Sequence, residues 1–372
     1  MMKVAHIIDS GGFYGAEVML LNLCREQINQ GLSVEVISIG VPGEPAKELE
    51  NKLREENIPV TAWRMRPLPD PRESLKLIRY CKSKAIDIIH SHGYKGNILL
   101  SILPRACRKI PVVSTVHGYT RQKKIGKLYF YQMLDKVCLK RLDAIVIVSK
   151  GIREQILVKS LVNKLYVINN GLPNIVPIPL SKNYDSKFKP GELKIGALGR
   201  LSFEKNFSLA INAMKIIVSH FPQGRLVIYG EGPLRNELQR LIDENSLSAN
   251  IQLPGYLRDT QNFFAELDIF VNCSLTEGMP ISLLEAMRQG CRIVATNIEA
   301  NRTLLESLPC KTYICPLDPN HLAQSIMTAA TEPSEIIEEQ RKCYQNTFTE
   351  RFSSELMAKE YSAVYKKLTH YV

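Results

Sequence analysis

One rhythm, run through twice, constrains this chain more than any other feature: a short apolar run, a turn, a helix-period segment, then the next apolar run. The first pass opens at "VAHII" (Val4–Ile8) and continues through "VEVISI", "IDIIH", "VVSTV", "AIVIVS" and "YVI" up to Ile168. Runs this apolar keep no polar face for water. Separated by helices, they predict the strands of a parallel sheet covered on both sides. Between the first two runs a helix is predicted from about Gly15 to Gln30. Ala16, Met19, Leu20 and Leu23 share one face of it, and Gly31 stands where a helix ends on a left-handed residue.

Four prolines and many polar residues between Asn169 and Leu193 break the rhythm, as a linker does. It then restarts: "KIGALG", a helix near Phe207–His220, "RLVIYG", a helix near Leu234–Asn245, "IQL", "IFVN", a helix at Pro280, "RIVAT" and "TYI". At 372 residues the chain exceeds the ~250–300 at which single cores stop growing. The expected fold class is therefore α/β, with two similar halves in tandem. The expected boundaries are 1–171 for the first domain, 172–192 for the linker, 193–350 for the second domain and 351–372 for a terminal segment. A last helix, from about Ser353 to Leu368, carries Leu356, Met357, Tyr361 and Tyr365, and its pattern allows packing on either half.

Open α/β sheets bind ligands outside the carboxyl ends of their strands, so the turns there are the first place to look for chemistry. "DSGGFYGAE" puts Gly11, Gly12 and Gly15 between the first strand and the first helix. Such a turn lets backbone approach an anionic ligand, or it is a plain strand-to-helix connection. In "ALGRLSFEKNF" Arg200 and Lys205 follow the first strand of the second half; they read as a diphosphate grip or as solvated cations. "VIYGEGPLRN" offers Gly230 and Gly232 without the third glycine of a dinucleotide fingerprint.

The densest stretch is "SLTEGMPISLLEAMRQG". Pro280 suits the first position of a helix, which leaves the N–H groups of Gly278 and Met279 for phosphate. Glu277 beside them can accept from sugar hydroxyls. Glu285, between one and two turns in, can hold a ribose diol or be a surface carboxylate on an amphipathic helix. Tyr256 and Leu257 in "LPGYLRD" are placed for contact with a nucleobase. His117 in "STVHGY" and His90 and His92 in "IIHSHGY" end strands of the first half and suggest a polar lining. With no third ligand in register they do not make a metal site.

The chain holds 48 Lys and Arg against 37 Asp and Glu, a net charge of +11, which favours anionic partners. Arg105, Arg108, Lys109, Arg121, Lys123, Lys124, Lys127, Lys136, Lys140 and Arg141 face one acid, Asp135, in the 105–141 region, with Tyr129, Phe130 and Tyr131 among them. This is a solvated face or a docking surface for anionic lipid. Charge is the only sign of nucleic-acid binding, which is not expected. The nine scattered cysteines, without any C-x-x-C pair, read as reduced thiols. No apolar run reaches the ~18–20 residues that span a bilayer, and the start is too short for a signal peptide. A cytoplasmic protein, soluble or peripheral on the inner membrane face, is expected.

Taken together, "GGFYGAE", "STVHGY", "INNGLP", "GRLSFEKNF", "YGEGPLRNELQ" and "TEGMPISLLEAMRQG", in this order over nearly the whole chain, resemble family 4 of the retaining glycosyltransferases. The resemblance implies the GT-B plan, two Rossmann-like domains facing across a cleft, with the C-terminal helix crossing back to the first. It implies a nucleoside-diphosphate sugar, UDP- or GDP-linked, as donor and a glycan or glycolipid of the cell envelope, of lipopolysaccharide, O-antigen or capsule type, as acceptor. Carried over, Arg200 and Lys205 hold the diphosphate. Glu285 takes the ribose, and Glu277 the donor sugar with the Gly278–Pro280 backbone alongside. Gly12 and its neighbours approach the phosphates, and His117 sits near the reacting centre. Neither cofactor nor metal is expected. After "RIVAT" similar enzymes carry Gly-Gly and then Glu, whereas this chain reads "NIEANRTLLES". An epimerase on the same plan and a non-catalytic sugar-nucleotide or glycan binder are the alternatives.

Overall fold

The computed structural model describes residues 1–66, 70–118, 126–156, 159–178, 192–257 and 259–369. The chain divides into two compact units: Met1–Pro173 with Ser353–Val372, and Asn174–Phe352. Most of the proline-rich linker, 179–191, lies outside the described residues.

The first unit contains strands β1 (Lys3–Ile8), β2 (Ser33–Gly40), β3 (Val60–Arg64), β4 (Ile88–His92), β5 (Val112–Val116), β6 (Ala144–Ile147) and β7 (Leu165–Val167). They form one sheet in the order β3-β2-β1-β4-β5-β6-β7, every pair parallel. All five residues of β4 and of β5 are buried, the polar ones included, as strands covered on both faces require. Strand β3 has no such run. Its residues are half-buried or exposed at the sheet edge, so nothing in its composition announced it.

The helix Gly15–Asn29 packs Met19, Leu20 and Leu23 inward, and Gly31 ends it at φ +82°. The N–H groups of Gly31 and Leu32 return to the carbonyls of Ile28 and Gln27, both at 2.9 Å. The C-terminal helix Ser354–Thr369 belongs to this unit. Met357, Ala358, Tyr361, Val364 and Tyr365 share a core with Val4, Met19, Leu23, Ile88, Val113 and Val146.

The second unit contains β8 (Glu192–Leu198), β9 (Gln223–Tyr229), β10 (Ile251–Gly255), β11 (Ile269–Asn272), β12 (Arg292–Thr296) and β13 (Tyr313–Cys315), in the order β10-β9-β8-β11-β12-β13 and again parallel throughout. Helix Phe207–His220 covers it with Phe207, Ile211, Met214 and Ile217. Both sheets turn back in the same way. The chain adds two strands on one side of the first strand, then crosses to its other side. That reversal falls between β1 and β4 and between β8 and β11. All nine cysteines are unbridged and six are buried.

Candidate functional site

In the second unit the carboxyl ends of β8 and β11 flank the reversal of strand order, where open α/β sheets leave a crevice. Lys205 and Glu277 stand on its two sides. Lys205 closes a single helical turn, Phe203–Lys205, and Asn206 behind it takes a left-handed conformation at φ 51°. The lysine Nζ lies 2.5 Å from Glu277 Oε1, and Ser274 Oγ donates to the same oxygen at 2.7 Å. Two further bonds sew the loops together: Leu275 N–H to Glu204 O at 2.8 Å and Cys273 Sγ to Lys205 O at 3.3 Å. The two charges assigned to different parts of a ligand on sequence grounds are thus each other's partners. Ser274 carried no sequence signal beyond its nearness to Glu277.

Glycines make the close approach of these loops possible. Gly230 has φ +144°, and a Cβ there would sit 1.8 Å from Gly199 O; one at Gly232 would sit 2.4 Å from Leu201 O. Around them Gly199 N–H donates to Tyr229 O at 3.0 Å, Leu201 N–H to Glu231 O at 3.0 Å and Gly230 N–H to Gly255 O at 2.8 Å. The loops after β8, β9 and β10 therefore lie backbone against backbone. Arg200, between the tied residues Gly199 and Leu201, has an exposed side chain.

Pro280 is the N-cap and not the first helical residue. Its backbone is extended (φ −73°, ψ 110°), and its carbonyl accepts from Leu283 and Leu284 at 3.1 and 3.3 Å, so the helix runs Ile281–Gln289. The expectation is corrected by one residue, because a proline whose carbonyl opens the helix needs no helical ψ of its own. Gly278 and Met279 before it are half-buried.

Glu285 is half-buried on this helix. Thr260 Oγ1 donates to its Oε1 at 2.7 Å. Burial pushes the carboxyl above the ordinary glutamate value, opposed by the Thr260 bond and by the Arg288 charge; the same burial lowers Arg288. Asp259 caps the Thr260–Glu266 helix and so fixes Thr260. Tyr256, exposed, and Leu257, half-buried, follow β10 just before this cap, so Thr260 ties Glu285 to the segment that carries them.

The departure "NIEANRTLLES" turns out to include a structural lock. Helix Glu299–Leu305 buries Asn301 completely, and its Nδ2 donates to Thr296 O at 2.9 Å and Asn272 Oδ1 at 3.2 Å. Thr296 Oγ1 in turn donates to Ser274 O at 2.7 Å. The ends of β11 and β12 are thereby fixed to one another directly behind Glu277.

The glycine turn of the first unit is electrostatically different. Gly11 and Gly12 follow β1, Gly15 opens the helix, and Ser10 Oγ donates to Gly12 O at 2.5 Å. Glu17 Oε2 accepts the Tyr14 N–H at 3.0 Å, so a carboxylate already occupies the helix start. Asp9 pairs with Lys47 at 2.9 Å and with Lys95, and Glu44 lies 3.7 Å from Lys47. Any contact this turn makes with an anion must come from backbone, not from surplus positive charge.

One premise about the histidines is corrected: a third imidazole is in register. His6, inside the apolar run of β1, pairs in register with His90. It supplies the third imidazole that the spacing of His90 and His92 lacked, and one ring nitrogen from each of the three lies within 4.8 Å of the others. The available signal was a polar residue in an otherwise apolar strand. His117 follows β5, half-buried, with its ring stacked 6.0 Å from that of His92; burial lowers it to about 4, so it is neutral.

The basic region is also less basic than its count. Arg105 and the fully buried Arg108 pair with Asp143, just beyond the counted window. Arg121, Lys123 and Lys124 lie outside the described residues. What the helix Lys127–Cys138 does present is apolar: Tyr129, Phe130, Met133, Leu134 and Val137 are all exposed.

Two family models match the chain: "Glycosyltransferase Family 4" over residues 13–173 and "Glycosyl transferases group 1" over 182–349. An Escherichia coli UDP-Gal:alpha-D-GlcNAc-diphosphoundecaprenol alpha-1,3-galactosyltransferase is 29% identical over 275 residues, 70% of each chain. The O-antigen biosynthesis glycosyltransferase WclY of Escherichia coli is 23% identical over 380 residues, 99% of each. Among solved structures, Anabaena Alr3699/HepE in complex with UDP and glucose superposes with a TM-score of 0.81 at 18% identity, covering 99% of this chain and 100% of that one.

Proposed function

Because the chain belongs to glycosyltransferase family 4, with the two parallel-sheet α/β domains of the GT-B plan, we propose that it moves a hexosyl unit from a UDP-sugar to a lipid-linked cell-envelope glycan with retention of configuration. The observation that carries this reading is the Lys205–Glu277 pair across the β8/β11 crevice, with Glu285 tied through Thr260 to the segment that follows β10. UDP is preferred over GDP because the related galactosyltransferase and HepE are described with uridine nucleotides. The acceptor class rests on the diphosphoundecaprenol acceptor named for that galactosyltransferase and on WclY's part in O-antigen biosynthesis.

In this mechanism Arg200 and Lys205 neutralise the diphosphate as it leaves. Glu277 holds a sugar hydroxyl, Glu285 the ribose diol, and the Gly278–Met279 amides the phosphate. The acceptor hydroxyl attacks on the face the diphosphate leaves, and a diphosphate oxygen takes its proton. The protein supplies position and charge, neither of which needs a metal. His117, neutral at physiological pH, positions a hydroxyl and carries no charge.

Among the described residues no helix is long and apolar enough to cross a membrane. The exposed stripe Tyr129, Phe130, Met133, Leu134 and Val137, with Lys136 on the same helix and Lys140 and Arg141 just beyond it, supports peripheral docking on anionic lipid.

The reading is tested by incubating the protein with UDP- and GDP-hexoses and undecaprenyl-diphosphate-linked acceptors. The expected result is transfer from a UDP-hexose and an α-linked product from an α-linked donor. Hydrolysis or isomerisation of donor alone, or an inverted linkage, would overturn it.

A further inference from the structure

The first unit contains a buried polar network that the proposed transfer does not use. His6 Nε2 meets Gln27 Oε1 at 2.7 Å, and His6 Nδ1 meets His92 Nε2 at 2.9 Å. Gln27 Nε2 donates to Tyr365 Oη at 3.1 Å, which lies 2.6 Å from His90 Nδ1. His90 Nε2 lies 2.7 Å from Thr115 Oγ1, and that oxygen 2.8 Å from Tyr361 Oη.

The amide of Gln27 orients the protons on the three imidazoles and on Tyr365. Its oxygen only accepts, so His6 carries hydrogen on Nε2 and a lone pair on Nδ1. His92 must then donate from Nε2, which leaves its Nδ1 unprotonated. The Gln27 amide nitrogen only donates, so the Tyr365 hydroxyl, whose other partner is His90, gives its own hydrogen to His90 Nδ1, and His90 donates from Nε2 to Thr115. The lone pairs of His6 and His90 therefore sit on Nδ1, while their Nε2–H groups are anchored on a carbonyl and a hydroxyl. That is the arrangement in which metal-binding imidazoles are held, with the outer nitrogen bonded to an oriented acceptor. Burial keeps His6, His90 and His92 neutral. One atom is left over: His92 Nδ1 is buried without a partner among the described residues.

We infer that His6 Nδ1, His90 Nδ1, His92 Nε2 and Tyr365 Oη form a tetrahedral site for a borderline divalent transition ion of the zinc type, clasping β1, β4 and the C-terminal helix. Two hydrogens now occupy the centre, one on His92 Nε2 and one on Tyr365 Oη. On binding, the first moves to His92 Nδ1, the nitrogen that lacks a partner, and the second is released to solvent, leaving a phenolate ligand that still accepts from Gln27. One proton leaves, two positive charges enter, and the buried centre gains a single net charge. At metal–nitrogen distances of ~2.0–2.1 Å the donors settle roughly 3.3 Å apart, so the His6–His92 and His90–Tyr365 pairs, now 2.9 and 2.6 Å apart, open slightly while the three imidazoles, each with a nitrogen within 4.8 Å of the others, stay gathered around the ion. His92, at the carboxyl end of β4 and 6% exposed, is the least buried of the three imidazoles.

The test is titration of the full chain with Co²⁺, monitored by visible absorption, with Zn²⁺ competition and equilibrium dialysis alongside. The expected result is one ion per chain, intense bands of a four-coordinate nitrogen–oxygen site, and a Tm that rises with metal. His92→Gln keeps an N–H to donate to His6 but loses the ligand; it and His6→Gln should abolish the bands. Gln27→Met should weaken binding by ~10–100-fold, the usual cost of losing an outer partner. Far-UV circular dichroism and Tm without metal establish that each variant is folded, and Tyr365→Phe gives a second, packing-conserving variant that must lose the four-coordinate signature. Absence of stoichiometric uptake, or bands that persist in the His92 and His6 variants, would overturn the assignment.

Discussion

Replacing Lys205 by methionine probes the centre of the proposed site while keeping most of the side chain's apolar stem. In the structure the ammonium makes a 2.5 Å contact with Glu277, and the two side chains are 23% and 12% exposed. Hydrogen bonds to charged groups contribute ~1.5–3 kcal/mol. Partial exposure screens this pair, so the lower end, about 1.5 kcal/mol, is the expected coupling. For a unit of this size ~1 kcal/mol corresponds to ~2–4 °C in Tm. Lys205→Met and Glu277→Gln should each lower Tm by several degrees, and the double variant by clearly less than their sum. Turnover should respond differently. Loss of a contact that strengthens as the diphosphate departs removes ~3 kcal/mol of transition-state stabilisation, about a hundredfold in kcat, whereas UDP affinity should change only a few-fold. The assays are thermal unfolding of all four proteins, steady-state transfer kinetics and UDP calorimetry. Additive Tm losses would refute the coupling, and equal losses in kcat and in UDP affinity would show that the lysine serves uniform binding only.

Gly230→Ala should be severe: φ +144° and a Cβ 1.8 Å from Gly199 O force the β8 and β9 loops apart, at a cost of ~3 kcal/mol or more from strain and lost backbone bonds. Gly11→Ala, where an added Cβ meets nothing within 4 Å, is the contrasting variant, and a similar Tm for both would count against the packing argument. Glu285→Gln should stabilise the protein at neutral pH. A carboxyl raised in the folded state binds its proton more tightly there than in the unfolded chain, so stability is lost as pH rises through the folded value. The gain should shrink below the ordinary value near 4.5, while UDP affinity falls; a gain that grows on acidification would contradict the burial. Phe130→Ser with Val137→Ser should reduce sedimentation with anionic vesicles, leaving transfer to a short-chain soluble acceptor unchanged; unaltered sedimentation would remove that helix as the docking surface.

Much of the plan is legible in the residues because it is local. A short, mostly β-branched run such as "VVSTV" becomes β5 residue for residue, and Gly31 ends its helix, because burial on both faces and a positive φ each demand a particular kind of side chain. The edge strand β3 is not legible, since a half-exposed strand needs no distinctive pattern. Lys205 and Glu277 stand out for a local reason too, charge beside glycine turns at strand ends, and Glu285 as a carboxylate inside an apolar helix.

What no local pattern decides is which strand end lies beside which. Only the order β10-β9-β8-β11-β12-β13 brings Lys205 to Glu277 across 72 residues, and only the β1–β4 register sets His6 against His90. Tyr365, 275 residues from His90, reaches it because the C-terminal helix packs on the first sheet. The rhythm of apolar residues specifies that a strand exists and which faces it buries. Its neighbours are chosen by the packing of the whole sheet and its covering helices, and that choice made partners of residues the sequence could offer only one at a time.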